Sequence, residues 1–213
     1  MKRIAIVLLL VIAVGIYAKR RFYGPKIQTE IAANDIKNGD IIFQTSLSSQ
    51  SKAIQLATNS PYSHCGIIYK NGSDFYVFEA VQPVKMTPLQ KWIVRGKSGK
   101  FVIKRLRDTS ILTPETLVKM KNVGQHFSGK DYDLTFEWSD KKMYCSELIW
   151  KIYKRGAGIE VGKPEKLSDF NLENTAVQQK MKERYGDHIP KNETVISPKA
   201  IFDSDLLETV AEN

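Results

Sequence analysis

The sequence predicts a single α+β domain in which an antiparallel sheet packs on helices. Three observations carry that expectation. Of 213 residues, 42% are hydrophobic and 26% charged, enough apolar mass for one packed core. Two β-rich runs, 63–70 and 73–80, flank Asn71-Gly72, the strongest short hairpin signal there is. Helical segments with recognisable start and stop residues are interspersed among strands that cluster early in the chain.

The N-terminus comes first. Residues 4–18 read IAIVLLLVIAVGIYA, uncharged and apolar, after Met1-Lys2-Arg3. That is the basic n-region and apolar h-region of an export signal. The run is short of the ~20 residues of a full membrane span. Ala18 would place Ile16 where cleavage wants a small residue, Ala13-Val14-Gly15 lies inside the apolar run, and Lys19-Arg20-Arg21 follows directly. The expectation is an uncleaved anchor that tethers an exported chain to the membrane. A cleaved signal is the alternative. Positive-inside counting of the flank favours the reverse orientation, whereas a start at residue 1 favours export. Residues 1–23 therefore read as signal or anchor, 24–35 as linker and 36–213 as the folded domain.

Charge supports that division. The chain has 32 basic and 23 acidic residues, a net +9. Five of the basic residues (Lys2, Arg3, Lys19, Arg20, Arg21) lie in 1–23 with no acidic ones, which leaves 27 against 23 in the rest. The excess sits beside the apolar run, where it contacts lipid headgroups. No basic-aromatic stripe suits nucleic acid, so none is expected as a partner.

Within the domain, Asn38-Gly39-Asp40 turns into a strand, Ile41 to Gln44, and Ser48 to Thr58 fits a short helix. Thr87-Pro88-Leu89-Gln90 predicts a capping-box helix start, closed by Gly96. Phe101–Leu106 reads as a strand, and Thr113-Pro114 opens a helix to about Phe127. Met143–Arg155 is a helix stopped at Gly156, 176–185 is helical, and Thr194–Phe202 looks extended around Pro198.

If Asn71-Gly72 is a two-residue loop, paired positions sum to 143 and His64 faces Glu79. The carboxylate then fixes one imidazole nitrogen and leaves the other as a base. A slip of one residue would separate the pair. The chain has two cysteines. Cys65 follows His64 in the strand, so its side chain points to the other face. Cys145 opens a helix, where the macrodipole stabilises a thiolate, and its own N–H is a candidate oxyanion donor. Gln44 and Tyr144 are further candidates for oxyanion or substrate contacts. Taken singly, a histidine beside a tyrosine, a buried cysteine and a glutamate are ordinary structural residues, and two cysteines of an exported chain can form a disulfide. Their conjunction points to nucleophilic catalysis. Gly124 to Asp131 falls short of a phosphate loop, since it ends in Asp and follows a helix. His126 and His188 have no partner at metal-ligand spacing, so neither a metal nor a cofactor is expected.

Several stretches resemble the YiiX-type permuted papain-like hydrolases, which are related to NlpC/P60 peptidoglycan peptidases and more distantly to lecithin–retinol acyltransferase. They are NGDIIFQTSLSSQSKAIQLAT, YSHCGIIY, FYVFEAVQPVKMTPLQKWI, GKDYDLTFEWSD, YCSELIWKIY, and ERYGDHIP with ETVISPKAIFD. The resemblance spans about residues 36–203. It implies a circularly permuted papain-like fold with histidine before cysteine. It also implies His64, Glu79 and Cys145 as catalytic residues, amidase or peptidase activity, and a periplasmic setting. The expected substrate is peptide-like, with cell-wall peptides first. The alternatives are lipid acyl transfer or thioester cleavage at the membrane, and a tethered binding module without activity. The sequence is silent on oligomeric state.

Overall fold

The computed structural model describes residues 36–213. The anchor and linker expected over 1–35 lie outside the described residues. Among the described residues there are eight strands: β1 (Ile41–Gln44), β2 (His64–Asn71), β3 (Asp74–Glu79), β4 (Lys85–Pro88), β5 (Val102–Leu106), β6 (Glu165–Lys166), β7 (Thr194–Val195) and β8 (Leu207–Glu212). Six α-helices accompany them: α1 (Ser51–Thr58), α2 (Leu89–Arg95), α3 (Pro114–Phe127), α4 (Cys145–Ala157), α5 (Thr175–Tyr185) and α6 (Pro198–Phe202).

The main sheet runs β4-β3-β2-β1-β5-β8, with every pairing antiparallel. Its central strands are sealed on both faces: Ile41, Ile42, Phe43, Ile67 and Ile68 are all fully buried. One face, with Ile41, Phe43, Cys65, Ile67 and Phe78, forms a core with Met120 and Phe127 of α3 and Leu148, Ile149 and Ile152 of α4. Those three α4 residues recur at helical spacing, and that stripe ties the helix to the sheet. A smaller cluster joins Leu167, Val177, Met181 and Val195, with Ala53, Leu56 and Ala57 of α1 packed against it.

Four expectations need correction. The hairpin loop is Gly72-Ser73: Asn71 pairs with Asp74 and Ile67 with Phe78, so paired positions sum to 145. Gly72 takes φ +62°, the left-handed value that a two-residue loop opening on glycine uses. The slip is two residues, an even number, so every side chain keeps its face. Second, Thr87 caps no helix. It belongs to β4, α2 begins at Leu89 after Pro88, and the Thr87 hydroxyl is used elsewhere. Third, α4 does not stop at Gly156 but at Gly158, which takes φ +75°. Gly156 is there for proximity, since a Cβ would meet the Met120 Cα at 2.6 Å and let α3 no closer. Fourth, Thr194–Phe202 is extended only over Thr194–Val195; Ser197 then caps α6, accepting from the Ala200 N–H, with Pro198 at the first position. β8 was not anticipated, because LETVAE carries too many exposed polar residues to read as a strand.

Candidate active site

His64 opens β2, and the turn before it is pinned. Ser63 Oγ accepts the Ser46 N–H at 2.9 Å and shares a 2.6 Å bond with Ser51 Oγ, while Ser63 N–H donates to the Gln44 carbonyl. His64 Nε2 lies 2.6 Å from Glu79 Oε2. Carried one step past Ile67–Phe78, the register sets Glu79 beside Gly66, diagonal to His64. Gly66 makes that diagonal possible, because a Cβ there would come within 2.3 Å of Val77 Cγ1 and 3.4 Å of the Glu79 Cβ.

Glu79 is fully buried and receives four donors. Thr87 Oγ1 reaches Oε1 at 2.6 Å; Oε2 takes His64, Trp92 Nε1 at 2.9 Å and an Arg95 amine. Burial alone would raise its pKa. The His64 bond and charge, then the Arg95 and Thr87 bonds, override it and hold the carboxyl at about 2. The Trp92 ring lies near-parallel to the imidazole, centroids 5.8 Å apart. Thr87, Trp92 and Arg95 escaped sequence reasoning: Thr87 read as a cap, and nothing local marked Trp92 or Arg95.

Cys145 is the first residue of α4, and no side chain caps that terminus. The helix start is clamped: Tyr144 Oη accepts the Ile196 N–H at 3.1 Å, and Ser146 Oγ donates to the Ile196 carbonyl at 2.6 Å. Cys145 therefore stands at the end of β2. There its sulfur faces the Cys65 thiol, the His64 imidazole and the Cys65 backbone N–H, all of which favour its thiolate. Since Nε2 of His64 is held by Glu79, Nδ1 is the nitrogen left for the sulfur. These contacts, with the Cys65 thiol foremost, pull the Cys145 pKa well below its ordinary value against the opposing effect of burial. Burial alone would lower the His64 pKa, but the Cys145 and Glu79 bonds and charges lift it to about 9. Burial, then the Cys145 bond, pushes Cys65 up. The site thus favours a thiolate–imidazolium pair. Cys65 and Cys145 are both free thiols.

The remaining candidates divide. Gln44 is the cross-strand partner of His64 and is buried, with its amide oxygen against Gly96 and without a donor. Tyr144 accepts the Ile196 N–H through its hydroxyl, and it also lines the adjoining pocket. Tyr132, not singled out by sequence, lines that pocket beside Cys145. It is placed by Gln82, whose Oε1 accepts the Tyr132 N–H at 2.7 Å, and by a bridge to Met143. Its hydroxyl accepts from Gln50 Nε2 at 2.8 Å, which leaves its own proton free to donate.

The pocket encloses about 710 Å³ including its open mouth. Its wall is mostly apolar: Ile54 of α1, Leu167, Phe170, and Val177 and Met181 of α5, with Lys180 and Arg184 as its two charged residues. Cys145 forms part of the wall. His126 and His188 are exposed and away from it; His126 Nδ1 bonds the Asn122 carbonyl at 2.7 Å. Gly124 to Phe127 are the last turn of α3, not the loop between a strand and a helix that a phosphate site needs.

Residues 35–211 match the family described as the permuted papain-like amidase enzymes, YaeF/YiiX, C92 family. The chain is 50% identical over 176 residues to the uncharacterized protein YiiX of Escherichia coli K12, covering 83% of this chain and 86% of that one. It superposes with a TM-score of 0.81 on the crystal structure of a metalloprotein, yiiX of Escherichia coli O157:H7, at 50% identity over 84% of this chain and 98% of the other. Among the described residues here, no three His, Cys, Asp or Glu side chains converge to hold a metal ion. The Glu79 carboxylate is already saturated by N–H and O–H donors.

Proposed function

The chain belongs to the permuted papain-like amidases of the YaeF/YiiX, C92 family, and on that premise we propose that Cys145, His64 and Glu79 cleave an amide bond through an acyl-enzyme. The observation that supports it is the buried 2.6 Å bond from His64 Nε2 to Glu79 Oε2, with Cys145 at the head of α4 interacting with the same imidazole. The thiolate attacks the carbonyl carbon and forms the S–C bond. The oxyanion is met by the Cys145 N–H and the Tyr132 hydroxyl, with the Gln44 amide as the remaining candidate donor. The C–N bond breaks as the imidazolium passes its proton to the departing amine. Neutral His64 then takes a proton from water, whose oxygen attacks the thioester carbonyl, and the Cys145 thiolate leaves.

The setting we propose is the periplasm, with the N-terminal segment as the tether. Cell-wall peptides as substrate rest on the likeness to NlpC/P60 enzymes alone. The apolar wall beside Cys145 favours a second reading, in which the cleaved group carries an acyl chain presented at the membrane.

Two measurements test these readings. Iodoacetamide should alkylate Cys145 selectively near neutral pH, and His64→Ala should suppress this; equal, slow labelling of both cysteines only above about pH 8.5 would reduce the protein to a binding module. In a series of fluorogenic N-acyl amides, kcat/KM should rise about fourfold per added methylene until the pocket fills, which corresponds to ~0.8 kcal/mol each. Faster turnover of cell-wall peptides than of any acyl amide would remove the acyl reading.

A further inference from the structure

Glu79 carries more positive charge than a base-orienting carboxylate needs. Three donors crowd Oε2, and two of them, His64 in its protonated form and Arg95, are cations. Arg95 lies in the last turn of α2 and its side chain is 42% exposed, whereas Glu79 is fully buried. α2 delivers both Trp92 and Arg95 to the same oxygen, so the helix is a platform for this one carboxylate. Other ionisable groups face the pair. Cys145 from α4 meets the imidazole side, with Cys65 from β2 beyond it on the far side of the sulfur, and Lys85 in β4, exposed, is the cross-strand partner of Glu79. Arg95 is the cation bonded directly to the oxygen that holds the imidazole.

We infer that Arg95 is a positioning residue that shares Glu79 with His64, keeping the buried carboxylate ionised while limiting how tightly the imidazolium is held. The inference rests on the Cys145–His64–Glu79 reading above. A buried carboxylate facing an imidazolium alone forms a neutral pair that resists releasing its proton, and in low dielectric that resistance is strong. His64 must give this proton to the leaving amine and then stay neutral long enough to take one from water. In the acyl-enzyme the thiolate charge is gone, and Glu79 is then the main reason for the imidazole to remain protonated. Arg95 weakens that pull at the step where it is harmful.

Pre-steady-state hydrolysis of p-nitrophenyl acetate and hexanoate by the full chain tests this, because the burst reports acylation of Cys145 and the steady state reports deacylation. With Arg95→Met, the pH limb of deacylation should move alkaline by about one unit, with a roughly tenfold slower rate at pH 7, as expected for removing a cation at contact distance. Arg95→Lys, which restores the charge, should return the limb towards wild type. A merely structural role would lower the burst amplitude without moving the limb. An unmoved limb in Arg95→Met, or one moved towards acid, overturns the inference while leaving the triad standing. The absence of any burst dependent on Cys145 and His64 in the wild type overturns the triad, and this inference with it.

Discussion

Cys145 stands between two unlike regions. On one side four N–H and O–H donors converge on a single buried carboxylate, and on the other an apolar pocket about 710 Å³ in volume offers few polar atoms. The first side comes from β2, β3, β4 and α2; the second from α1, α5 and the segments around Leu167 and Ile196. Two elements reach both: α4 through Cys145, and α1, which walls the pocket while its Ser51 steadies the turn before His64. The difference teaches that proton management and substrate recognition are built from separate parts of the chain, so a substitution on one side should leave the other's observable intact.

The hardest blow to that contrast is Glu79→Gln. The imidazole loses its anionic partner, so the alkaline limb of kcat/KM should fall from about 9 towards the ordinary 6.5, and kcat should drop about 10²- to 10⁴-fold. The sign follows from the direction of the shift: Glu79 favours the charged imidazole, and its loss lets the proton leave at lower pH. A pH–rate profile on one amide substrate checks this, and an unmoved limb would separate Glu79 from His64. Next in size is Met181→Lys, which puts an ammonium into the apolar wall. We expect KM for a long-chain N-acyl amide to rise about 10- to 100-fold with kcat and the pH limbs unchanged, while a short-chain amide is barely affected. A shifted pH limb there would mean that the two regions are coupled. The smallest effect on chemistry should come from Gly156→Ala, where the new methyl meets the Met120 backbone at 2.6 Å. It should cost about 1–3 kcal/mol in urea unfolding while the alkylation profile of Cys145 keeps its shape.

The two regions also differed in how far the sequence revealed them. The helix carrying Cys145, the hairpin carrying His64 and Glu79, and the helix Pro114–Phe127 follow from local rules: periodicity, a turn signal, a Thr-Pro start. The register estimate was two residues off, yet the faces survived because strand side chains alternate with a period of two. Thr87 and Arg95 were hidden because their partner is distant in the chain, and a threonine before proline fits a helix cap equally well. The apolar pocket was illegible because its lining is scattered from Gln50 to Pro198, and each of its residues alone reads as core. The Cys65 contact was hidden as well. Alternation set its side chain opposite His64, but Cys145 sits at the strand end, where both consecutive residues reach the sulfur.

That last arrangement has a consequence for how the chemistry can fail. Two neighbouring positions of one strand serve the same atom, one through its ring and the next through its thiol and amide proton. Inserting or deleting a single residue in β2 would swap which of them is presented, and both services would vanish together. The enzyme's output is therefore indexed to the strand like a key to its wards, either aligned or idle.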